Sequence, residues 1–104
     1  MATQTWRHLW RNAPNGANYD FGWNIISRHS VVVITVAEAR LLGRPNFKGP
    51  DRFIGAAGRM HVTNIAPHDG SGVEFKIHWD GNFPNLNVWT DITVLDPREF
   101  AGEN

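Results

Sequence analysis

Two stretches of strict alternation, residues 73–79 and 86–95, constrain this chain more than any other feature. In the first, Val73, Phe75, Ile77 and Trp79 alternate with Glu74, Lys76 and His78. In the second, Leu86, Val88, Ile92 and Val94 share one phase, and Asn87, Trp89, Asp91 and Thr93 share the other. A period of two belongs to a strand with one face in a core and one face outside it. The link between them, Asp80-Gly81-Asn82-Phe83-Pro84-Asn85, is turn chemistry, so the two stretches read as neighbouring strands of a hairpin.

The remaining chain follows the same logic. Residues 31–36, Val-Val-Val-Ile-Thr-Val, are β-prone and apolar on both faces, which places them centrally in a sheet. Alternation continues through Ala37 to Leu42, although those residue types also suit a single helical turn. Trp6, His8 and Trp10 share one face of a strand and read as core packing at an open end of the fold. Asn15-Gly16 supplies the positive φ of a tight turn. Residues 21–27 read as a strand carrying Phe21, Trp23 and Ile25, with a short connection at 27–30. Residues 43–51, with two prolines and two glycines, form the longest loop. Residues 52–57 and 59–65 are short strands, with a bend or bulge signalled by Gly55 and Gly58. Residues 66–72 are a turn, and 98–104 a tail.

The count is six to seven short strands with no amphipathic helix. An all-β fold follows, an antiparallel β-sandwich or small barrel, with residues 1–104 forming a single β domain. A chain of 104 residues has no room for a second core.

Charge narrows the partners. Ten acids balance ten bases, whereas nucleic-acid binders carry a basic excess to neutralise phosphates, so no nucleic-acid partner is expected. No segment approaches the ~20 apolar residues of a membrane span, and no membrane association is expected. The absence of cysteine and of a signal-peptide pattern at residues 1–7 points to a cytoplasmic protein.

For catalysis, no nucleophile elbow, phosphate-binding glycine loop or paired metal-ligand motif is present. Glu74 and Asp91 are the candidate carboxylate pair, read more simply as surface ion pairing with Lys76. The five histidines are scattered, and only His61 and His78 lie on strands expected to be neighbours. No metal and no cofactor are expected, and an enzyme using these histidines ranks last among three readings.

Trp89 is the residue that needs explaining. An indole on the polar phase of its strand forgoes on the order of 2 kcal/mol of burial if it is left open. A covering loop, a partner chain or a stacked ligand each accounts for it. Flat aromatic surface beside Asn87, Asp91, His78, Glu74 and Lys76 suits a sugar, whose C–H face stacks on the ring while hydroxyls meet the polar rim. The sequence therefore leads to a non-catalytic, carbohydrate-binding module using those six residues. The alternative is a protein–protein or self-assembling domain, a homo-oligomer, using the same face.

Overall fold

The computed structural model describes residues 3–40, 51–53, 55, 57–99 and 101–104. Among these residues there are seven strands: β1 (Gln4–Pro14), β2 (Asn18–Gly22), β3 (Val31–Arg40), β4 (Asp51–Phe53), β5 (Met60–His68), β6 (Gly72–Trp79) and β7 (Asn85–Leu95). They make two antiparallel sheets, β1-β7-β3-β4 (sheet A) and β2-β6-β5 (sheet B). The described residues contain no helix, and the all-β sandwich expected from the alternation is the fold.

The core is what the period-two pattern dictates. Val73, Phe75, Ile77 and Trp79 from β6 meet Val88, Ile92 and Val94 from β7, each at most 4% exposed. Thr90 is the polar member of that inner row and is fully buried. Its hydroxyl accepts from Trp10 Nε1 at 2.9 Å and donates to the His8 carbonyl at 3.3 Å, so nothing there is left unpaired. Tyr19 and Phe21 of β2 close one side, ringed by Trp6, His8 and Trp10 of β1. β3 lies between β7 and β4, the interior position expected for residues 31–36.

The expected hairpin is not formed. β6 and β7 lie in different sheets, and residues 80–84 arch between them. The capture of the chain as it leaves β6 explains the arch. The Asn15 side chain takes both backbone groups of Trp79, and the Trp79 indole donates to the Phe83 carbonyl at 2.7 Å. Asn15 N–H also donates to the Pro84 carbonyl at 3.1 Å, and Phe83 packs on the core. The link is therefore bound to the end of the sandwich and does not fold back along β6.

Three further boundaries differ. The strand expected at 21–27 begins earlier, at Asn18, and stops at Gly22, because Trp23 N–H bonds the Ser71 carbonyl and Ile26 N–H closes a turn onto Trp23. The strand expected at 52–57 is Asp51–Phe53, and the bend expected near Gly55 and Gly58 falls at Ala57, while a bulge interrupts β5 between Thr63 and Ala66, where Asn64 has a φ of 56°. β5 also runs on to His68, which leaves a turn of only Asp69, Gly70 and Ser71. The strand continuation past Val36 holds as far as Arg40. Leu41 and Leu42, and the loop at 43–51 apart from Asp51, lie outside the described residues.

Candidate functional site

Sheet A turns the other phase of its strands outward. Register places Arg7 opposite Asp91, with Thr35 on Asp91's other side, and Leu9 opposite Trp89, with Ala37 beyond. Arg52 on β4 pairs with Ala39. Ala37 and Ala39 are small, so the Arg52 side chain reaches across β3 to the central strand. It contacts Asp91 Oδ2 through Nη1 at 3.4 Å, while Arg7 Nε stands 3.4 Å from Asp91 Oδ1. Both guanidinium carbons lie 5.7 Å from the centre of the Trp89 ring, within cation–π range.

This arrangement corrects the expectation of an open indole. Trp89 is 8% exposed within a single chain, and its Nε1–H is buried with no hydrogen-bond partner among the described residues. What stands over the indole toward solvent is guanidinium, with the Arg7 and Arg52 side chains 65% and 53% exposed, and farther along the same face Val33 is 47% exposed.

The six residues expected to form one site divide between two outer faces. Trp89, Asp91 and Asn87 lie on sheet A. Asn87 is already engaged, since its Oδ1 accepts the backbone N–H of Asn12, whose φ of 52° marks the bulge in β1. His78, Glu74 and Lys76 lie on the outer face of sheet B, across the sandwich, so Glu74 and Asp91 do not form a carboxylate pair. Arg7 and Arg52 are the members the sequence reading missed. Alternation with Trp6 and His8 signals that Arg7 points outward. Nothing local signals that Arg52 crosses a strand.

On sheet B, His61 and His78 do face each other, as expected of neighbouring strands, with rings stacked 5.3 Å apart. His78 Nε2 is 3.2 Å from the Thr63 hydroxyl. A shallow hollow of about 210 Å³ opens beside the β5 bulge between Asn18, Asn64, Glu74 and Lys76.

Asp20, His68 and Glu74 bring three ligand-type atoms within 4.8 Å of one another. Their hydrogen bonding does not suit a metal. His68 Nδ1 accepts the Gly70 N–H at 3.1 Å, which leaves the ring proton of the neutral imidazole on Nε2, facing Asp20 Oδ1 at 3.4 Å. A cation on Nε2 would have to displace that proton onto a nitrogen already facing a donor.

The side of the sandwich where β1 and β2 lie is aromatic. Trp6 is 44% exposed there, edge-on to Phe21 and Trp23, and its Nε1 donates to His8 Nδ1 at 3.3 Å. Burial pulls the His8 imidazole below its ordinary value of 6.5.

No protein-family model, curated protein or solved structure matches this chain.

Proposed function

We propose that this chain is a non-catalytic recognition module that binds carbohydrate on the outer face of sheet A. The observation that carries the reading is the row Arg7, Asp91, Arg52, two guanidiniums over a buried indole that share one carboxylate. Guanidinium and carboxylate groups engage adjacent hydroxyls two at a time, donating and accepting respectively. Strand side chains tied to one another lose little freedom on binding, which favours a preformed site without a cofactor. A glycan array probed with the wild type and with Asp91→Asn tests this. The expected result is a small set of related glycans that Asp91→Asn loses. An empty array from folded protein, or hits indifferent to Asp91, contradicts it.

A second reading, self-association, is favoured by a different observation. β4 has three residues, β2 has five, and β5 is broken by its bulge, but β1 pairs without interruption from Gln4 to Trp10, and no strand among the described residues pairs with its outer edge. Long open edges template further pairing, and the half-exposed Trp6 stands beside this one. Native mass spectrometry of the wild type and Trp6→Glu tests it. A dimer that Trp6→Glu dissociates supports the reading, and a monomer at high micromolar concentration contradicts it.

A further inference from the structure

The sheet A face carries more donors than its own acid can satisfy. We infer that the Arg7–Asp91–Arg52 row is an oxyanion site, and that the sugar it takes is acidic, carrying a sulfate or a carboxylate. The inference rests on the carbohydrate reading above and narrows it.

Three observations support it. First, among the described residues that register places on this face, Asp91 is the only acid, and it serves two guanidiniums. Each guanidinium carries five N–H donors, and a carboxylate accepts about four hydrogen bonds. Second, both contacts to Asp91 are 3.4 Å long, beyond the roughly 2.7–2.9 Å of a full charge-assisted bond. Asp91 Oδ2 accepts from Arg52 Nη1, Oδ1 has no hydrogen bond among the described residues, and the one carboxylate saturates neither cation. Third, the indole beneath is closed to solvent, its nitrogen included. A ligand arriving here meets positive charge and N–H groups and cannot stack on Trp89. That favours an oxyanion over a neutral pyranose face. The neutral overall charge of the chain argues against a nucleic-acid phosphate backbone as the source.

The test is calorimetric titration of the full chain with five probes: a sulfated disaccharide, a uronic-acid disaccharide, their neutral parent, inorganic sulfate and a short single-stranded DNA. Both acidic disaccharides are expected to bind roughly tenfold or more tighter than the neutral parent, the gain of one charge-assisted hydrogen bond. Arg52→Gln and Arg7→Gln should each remove that preference, and Arg52→Lys should restore only part of it, because lysine keeps the charge and loses the fork. Thermal unfolding of each variant separates loss of the site from loss of the fold, and in a variant that does not fold the preference is read in 0.5 M salt with the wild type, where it should shrink. Equal binding of the neutral parent, or an acidic preference untouched by both glutamine variants and by salt, overturns the inference and leaves the carbohydrate reading standing. Binding of inorganic sulfate as tight as that of the sulfated disaccharide supports the oxyanion site and overturns the carbohydrate reading. A short single-stranded DNA bound as tightly as the sulfated disaccharide overturns the assignment to a sugar.

Discussion

Asn15 and Trp79 meet as though two strands were pairing: Asn15 Nδ2 donates to the Trp79 carbonyl at 2.9 Å, and Trp79 N–H donates to Asn15 Oδ1 at 3.0 Å. One side-chain amide thus completes the end of β6 and sends the chain into the arch toward β7. Asn15→Ala removes both bonds and leaves two backbone groups beside a buried indole. The expected loss is about 2–3 kcal/mol in urea unfolding, on the scale of two hydrogen bonds with a partly buried partner left unpaired. A loss under about 0.5 kcal/mol, typical of surface substitutions, would show that solvent serves Trp79 as well as Asn15 does.

Trp89 and Trp6 should behave in opposite ways when truncated. Trp89 is closed off, so Trp89→Ala is expected to cost about 3–5 kcal/mol of stability, as buried aromatics do. Trp6 is 44% exposed and should cost clearly less. Equal losses from the two substitutions, by the same urea measurement, would contradict the packing described for sheet A.

Much of this was legible from alternation alone, and the rest was not for identifiable reasons. The phase of β6 and β7 is set by burial, so Trp79 in the core and Trp89 out of phase with it follow from period two. Whether β6 and β7 pair is not a local property. It turns on Asn15, more than sixty residues upstream of Trp79, and turn-prone residues serve an arch as readily as a hairpin. The cover over Trp89 likewise comes from Arg7 and Arg52, on strands distant in sequence. The placement of His61 opposite His78 followed because β5 and β6 are joined by a tight turn, where sequence neighbours do become sheet neighbours.

His68 should hold its proton on Nε2 when neutral, because Nδ1 accepts from Gly70 N–H. Long-range ¹H–¹⁵N correlation spectra above pH 8 should show that tautomer for His68. An Nδ1–H form would contradict the turn geometry and reopen Asp20, His68 and Glu74 as metal ligands.

Two burials give stability a pH dependence at each end. His8 is pulled down by burial, so the unfolded chain takes up its proton first on acidification. The stability from neutral His8 is present above 6.5 and is lost as pH falls from there through the folded value. Tyr19, the single tyrosine, is pushed up to about 12 by burial, with its hydroxyl donating to the Pro14 carbonyl at 2.6 Å. Its contribution is present below pH 10 and is lost as pH rises from there toward 12. Urea midpoints across pH should therefore depend less on acidification in His8→Gln and less on alkalinisation in Tyr19→Phe. Curves parallel to the wild type would contradict both assignments.

Recognition on the outer face of sheet A can be read residue by residue, by amide chemical-shift mapping of the labelled chain titrated with the best-bound acidic disaccharide. Saturable shifts are expected at Arg7, Leu9, Trp89, Asp91 and Arg52, with His61, Lys76 and His78 unmoved. Shifts confined to sheet B, or none at saturating sugar, would contradict it.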